Sequence, residues 1–189
     1  MRLFVALDLT RDVRARLEAL QAALRTMPLP LRWARPEGIH LTLKFLGEVA
    51  RERLDEVEAA LEAAAPRHAP FLLEAEGVGT FPEAGPPRVI WVGVRDPSGA
   101  ARALQESIEA ELEAIGFARE RRGFTPHLTL GRAQGPGRGD WRSFLERSSF
   151  GAPERFAVGD YVLFLSRPGP GGTAYQALRR YSLEGGVSR

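Results

Sequence analysis

The chain has 189 residues, a formal net charge of +2 and no cysteine. That length suits one domain of good size or two closely packed lobes. Missing cysteines exclude disulfides, thiolate metal sites and a cysteine nucleophile, and so small a charge makes no general case for nucleic acid.

Residues 3–9 alternate loosely and read as a strand. Val13, Leu17, Leu20 and Leu24 then recur at helical spacing across 11–25. Thr10 is a fitting N-cap, and Pro28 and Pro30 close the helix. A short strand at 31–34 precedes a turn at Pro36 and Gly38. Residues 40–46 are strongly strand-like and end at Gly47. A second helix spans 49–65, with Leu54, Val57, Leu61 and Ala64 on one face and Pro66 as its stop. A strand at 71–78 leads to a Pro/Gly-rich loop at 80–87, the expected crossing between lobes.

The second part begins with a near-continuous apolar strand at 88–94. Asp96 and Pro97 predict a helix start. Leu104, Ile108, Leu112 and Ile115 predict its buried face, and Gly116 its C′ position. Another strand opens at His127, followed by a loop at 131–139 and a short helix at 140–147. Strands at 156–166 and 175–183 are joined by the turn 168–172, and the tail from Gly185 is expected to fray. No stretch reaches the roughly 18 apolar residues of a membrane-spanning helix. Met1 to Leu7 turns acidic at Asp8, too early for a signal peptide, so a cytoplasmic location is expected.

One tetrapeptide occurs twice, as His40-Leu41-Thr42-Leu43 and His127-Leu128-Thr129-Leu130. Only three histidines exist in the chain, and two of them open these copies. The flanking elements repeat as well: strand, helix, HLTL strand, helix, strand. We therefore expect a single domain over 1–189 built from two similar halves, approximately 1–80 and 88–184. Its fold class is α+β: bilobal, with two pseudo-two-fold-related, mainly antiparallel sheets, helices outside and a central cleft.

Side chains alternate along a strand, so His40 and Thr42 share one face while Leu41 and Leu43 anchor the other. The same holds for His127 and Thr129. Two imidazoles suit phosphodiester hydrolysis, which needs a base for water and an acid for the departing oxygen. Threonine hydroxyls can donate to the non-bridging oxygens as charge develops there. Each repeat lacks a carboxylate, and His68 lies past a helix end, where a solvated loop histidine is expected. Neither a metal nor a cofactor is expected.

The double H-x-T-x motif resembles the 2H phosphoesterases. Arg2-Leu3-Phe4-Val5-Ala6, HLTLKFLGE from His40 to Glu48, and PHLTLGR from Pro126 to Arg132 resemble the LigT-like branch, the RNA 2′,3′-cyclic phosphodiesterases also called 2′-5′ RNA ligases. The resemblance implies a bilobal fold. It also implies RNA ending in a 2′,3′-cyclic phosphate as substrate, opened to a 2′-phosphate, with joining of tRNA halves as a related reaction. By that resemblance His40 is the proton donor and His127 the acceptor, while Thr42 and Thr129 hold the phosphate. The identical motifs alone do not assign the two histidine roles. No membrane and no obligate protein partner are expected.

Arg132 is a further phosphate candidate, but alternation gives it the wrong parity unless the chain turns at Gly131. Lys44, the only lysine among 26 basic residues, has the site-facing parity. Trp33, Phe45 and Phe124 are candidates for base stacking, with core packing the expectation for each. Residues 132–139 are a candidate flank of the RNA cleft. The rival functions are a phosphodiesterase for a small cyclic nucleotide or a 2′-5′ linked oligonucleotide, and a non-catalytic module that binds RNA ends.

Overall fold

The computed structural model describes residues 1–27, 29–82, 86–134, 140–169 and 172–185. Pro28, part of the 80–87 loop, the loop at 135–139, the tip of the 168–172 turn and the tail beyond Gly185 lie outside the described residues. Nine strands and four helices are seen among those described. They are β1 (Arg2–Leu7), α1 (Arg11–Leu24), β2 (Leu31–Trp33), β3 (Leu41–Glu48), α2 (Leu54–Ala64), β4 (Phe71–Phe81) and β5 (Val89–Arg95). Then come α3 (Ala100–Ala114), β6 (His127–Ala133), α4 (Trp141–Arg147), β7 (Glu154–Val158), β8 (Asp160–Gly169) and β9 (Gly172–Ser182).

The strand order is β7-β4-β5-β6-β3-β1-β8-β9, with β2 on β6. Every pairing is antiparallel. This order is a palindrome about the β6/β3 contact, which consists of one residue pair, Leu41 with Leu128. One arm is β3-β1-β8-β9 and the other β6-β5-β4-β7. The helices obey the same symmetry. Buried Val13, Leu17, Leu20, Gln21 and Leu24 of α1 recur, 88 positions later, as Ala101, Gln105, Ile108, Glu109 and Leu112 of α3.

The spatial arms are not the two sequence halves. β4 belongs to the first half of the chain yet pairs with β5, and β8 belongs to the second half yet pairs with β1. The 80–87 loop, expected as the crossing between lobes, therefore joins β4 to β5 inside one arm. Apart from the short excursion of β2 onto β6, the chain crosses instead through α2 and again at Gly159. The single strand expected at 156–166 is two strands in opposite arms, split at Gly159.

That split curls the sheet. β7 and β8 stand six strand positions apart in the order, roughly 29 Å if the sheet were flat. One intervening residue spans at most about 7 Å between Val158 and Asp160. The sheet must bend until these ends meet, which leaves one face concave and the helices on the other side.

Smaller differences have local causes. Thr10 occupies the α1 N-cap without a side-chain hydrogen bond to the helix. α3 starts at Ala100, capped by Gly99 at φ 74°, later than Asp96 and Pro97 predict. The Asp96 carboxylate still accepts from the Arg102 amide at 3.1 Å. The second expected helix opens and closes with 3₁₀ turns around α2, Arg51–Arg53 and Ala65–Arg67. No helix among the described residues is long and apolar enough to cross a membrane.

Candidate active site

The two HLTL copies meet where the arms meet. Leu41 and Leu128 are buried and form the one pair between β3 and β6. The residues flanking each leucine therefore surround the pseudo-two-fold axis. With strands antiparallel, His40 stands on the Thr129 side and Thr42 on the His127 side. Each histidine is held by the carbonyl two residues before it. His40 Nδ1 lies 2.8 Å from the Gly38 oxygen, and His127 Nδ1 lies 2.8 Å from the Thr125 oxygen. A carbonyl only accepts, so Nδ1 must carry the proton, and Nε2 becomes the working nitrogen of each ring.

Both strands then break their alternation at the same place. Ala6 pairs with Thr42 and Val5 with Lys44, leaving Leu43 as the extra residue of a bulge. Trp91 pairs with Thr129 and Ile90 with Gly131, leaving Leu130 extra in the same way. A bulge of one residue resets the parity beyond it. The fifth residue after each histidine is thereby turned back onto the site face. Phe4 faces Phe45 across β1/β3, and Val89 faces Arg132 across β5/β6.

A cavity of about 830 Å³ opens between the arms, lined by Thr42, Phe45, His127, Thr129 and Arg132 among others. His40 is not in its lining. Its ring sits against Phe4 at 4.6 Å, edge-on to Tyr175 at 5.1 Å, and 6.1 Å from Phe164. Burial, reinforced by the charges of Arg14 and His127, lowers the His40 pKa to about 4. His127 is less enclosed, with Phe81 edge-on at 5.0 Å. Burial also lowers its pKa, and the Arg132 charge adds to that. The two sequence-identical motifs thus have unequal surroundings, one more enclosed and aromatic, the other lining the cavity.

The family of LigT-like phosphoesterases matches residues 7–91 and again residues 92–175. The chain belongs to this family. The RNA 2′,3′-cyclic phosphodiesterase of Archaeoglobus fulgidus is 36% identical over 181 residues, 95% of this chain and 98% of its own. That of Thermotoga maritima is 31% identical over 190 residues, covering 100% and 99%. Among solved structures, a Thermus thermophilus protein matches with a TM-score of 0.81 at 31% identity, over 98% of this chain and 99% of its own. Escherichia coli LigT complexed with 3′-AMP matches at 0.76 with 27% identity, over 96% and 97%.

Two side chains of this LigT-like phosphoesterase have partners that the sequence does not announce. Lys44 borders the same cavity as Thr42 and Phe45, but its ammonium is turned towards α3. The bulge puts it on the Val5 face, 5% exposed, where its ammonium donates to Glu109 and to the Ala118 carbonyl, each at 2.6 Å. Its charge is spent on a buried carboxylate under the cleft. His68 lies partly exposed in the loop after the Ala65–Arg67 turn, as expected, with its Nε2 2.8 Å from Ser107 Oγ of α3. Among the described residues, no group of three or more His, Asp or Glu is arranged to hold a metal ion.

The same bulge logic explains Arg132, which reaches the cavity although β6 continues to Ala133 with no turn at Gly131. Phe45, expected in the core, is 65% exposed in the cleft. Phe124 both packs on the core and lines the cavity, whereas Trp33 packs against the core. Arg88, Arg122 and Phe81 also line the cavity. No local signal marks them, because strand pairing and curl bring them there.

Proposed function

We propose that this chain is an RNA 2′,3′-cyclic phosphodiesterase that opens the cyclic phosphate to a 2′-phosphate by two-histidine acid–base catalysis. The observation that carries this reading is the single Leu41–Leu128 pair, which sets two Nδ1-anchored imidazoles and two threonines about one axis beside the cavity. His127, nearer solvent, takes a proton from water through Nε2. The water oxygen bonds to phosphorus as the P–O3′ bond breaks. His40 delivers its Nε2 proton to the departing O3′. Thr42 and Thr129 donate hydrogen bonds to the non-bridging oxygens, and Arg132 balances their charge.

His40 carries no proton at neutral pH on Nε2 in the free protein, because burial holds its pKa near 4. A phosphodiester brings one negative charge between the two rings. That charge favours the imidazolium and loads the acid only when substrate is present. Replacing water by an RNA 5′-hydroxyl turns the same steps into 2′-5′ joining, with tRNA halves as fitting partners. Phe45 offers a face for a base near the phosphate. The deciding experiment incubates RNA ending in a 2′,3′-cyclic phosphate with the protein and identifies the product. A 2′-phosphate end is expected. A 3′-phosphate, or turnover of small cyclic nucleotides alone, overturns the reading.

A further inference from the structure

The turn that carries the Gly38 carbonyl is clamped from outside the site. Arg14 of α1 sends Nη1 to the carbonyls of Pro36 at 2.9 Å, Glu37 at 3.0 Å and Ile39 at 3.2 Å. Its other nitrogen, Nη2, is paired with Asp8 at the end of β1. Asp8 also accepts from Arg180 of β9 at 2.7 Å, and Arg180 reaches Asp160 of β8 at 2.8 Å. Carbonyls on both sides of Gly38 are thus tied to one guanidinium, and Gly38 holds His40. Tyr175 closes the other side, so near that a Cβ on Gly38 would stand 3.3 Å from its ring.

The symmetry of the fold supplies a built-in comparison. Arg102 stands in α3 where Arg14 stands in α1, 88 positions later. It makes one long bond, 3.4 Å, to the Phe124 carbonyl, on the turn that carries Thr125 and His127. Asp96, the counterpart of Asp8, gives its carboxylate to the Arg102 amide and the Ser98 hydroxyl. Among the described residues, the His40 turn has a clamp of four charged side chains, whereas the His127 turn is held by backbone pairing, Val94 N–H to the Pro126 carbonyl at 3.1 Å and Gly93 beside His127, with Arg102 as its one charged side-chain contact.

We infer that Asp8 and Arg14 are positioning residues for His40, fixing its tautomer and orientation through the 36–39 turn, and that His127, held by the β5/β6 ladder, does not depend on a charged clamp of this kind. The role in catalysis rests on the proposed function. The fixing of the ring does not. Asp8, Arg14 and His127 are the charged or titratable groups that act on His40. Phe4, Phe164 and Tyr175 pack around its ring.

The test compares Arg14→Met, Asp8→Asn and Arg102→Met in the full chain. Imidazole ¹⁵N NMR reads the His40 tautomer and protonation midpoint, and kinetics use RNA ending in a 2′,3′-cyclic phosphate. The wild type should show a neutral His40 protonated at Nδ1. Arg14→Met should mix the tautomers and raise the midpoint, because a nearby positive charge is gone. Asp8→Asn, which keeps the size of the side chain, should lower it. Arg14→Met should cut kcat by about 10- to 100-fold with KM nearly unchanged, as misorientation of a reacting group does. Arg102→Met should leave kcat and the His127 tautomer close to wild type. A fixed His40 tautomer and unchanged kcat in Arg14→Met, or an equal loss in Arg102→Met, overturns the inference. If the wild type does not turn over this RNA, the functional reading falls while the NMR comparison still decides the positioning role.

Discussion

Phe45 and Arg132 are symmetry mates with opposite chemistry. Each stands five residues after its histidine, and each is turned into the cleft by a bulge at the preceding leucine, Leu43 or Leu130. An aromatic face on one side and a guanidinium on the other give a symmetric scaffold a direction. Arg132→Ala should lower kcat/KM by about 10- to 100-fold, the value of a lost charge-assisted hydrogen bond. Arg132→Lys should restore only part, since an ammonium lacks the fork. Phe45→Ala should instead act on KM, by the roughly 1–3 kcal/mol of one stacked base. Steady-state kinetics on one RNA separate the two, and equal effects on kcat would remove the polarity.

Either histidine should be indispensable. His40→Ala and His127→Ala should each lower kcat by about 10²–10⁴-fold or more. A variant retaining most of its activity would exclude that residue from the mechanism.

Treatment with EDTA should leave the rate unchanged, because the proposed steps use imidazole, hydroxyl and guanidinium groups alone. A loss restored by a divalent cation would contradict them.

His40 also shapes stability against pH. Its folded pKa, near 4, lies below the ordinary 6.5 because of burial first and the Arg14 and His127 charges next. As pH falls from 6.5 towards 4, the unfolded chain gains a proton at this site that the folded chain refuses. Stability is therefore lost across that window, by up to about 3 kcal/mol from this residue. His40→Gln should lose less between those pH values in urea melts. Parallel losses in the two proteins would clear His40 of the effect.

The Lys44–Glu109 pair is a structural tie between β3 and α3. Lys44→Met should cost about 3–5 kcal/mol by stranding a buried carboxylate, and adding Glu109→Leu should recover most of it. KM for RNA should stay unchanged in Lys44→Met at temperatures where it is folded. A tenfold rise would return Lys44 to the phosphate site.

The reacting residues were legible because a strand hides little. Alternation put His40 with Thr42 and His127 with Thr129, and duplication put the pairs together. Alternation failed two residues later. A bulge is decided by two residues facing one across a neighbouring strand; Gly131 hints at a break in its strand, but nothing within Leu43-Lys44 announces one. Phe45 thus stands in the cleft rather than the core, the Lys44 ammonium is turned to Glu109, and Arg132 reaches the cleft by a bulge rather than a turn. The exchange of β4 and β8 between arms was equally hidden, since the local pattern of a strand does not name its partner. Phe156 to Ser166 read as one run because Gly159 and Asp160 interrupt it only briefly.

Gly159 has a mechanical consequence. It is a covalent leash between the edge strand of one arm, β7, and the penultimate strand of the other, β8. The gap between the arms has a gauge set by bond lengths, so substrate cannot be admitted by flattening the sheet. One extra residue at this point would slacken the whole vessel, though it would lie on a different strand junction from either histidine.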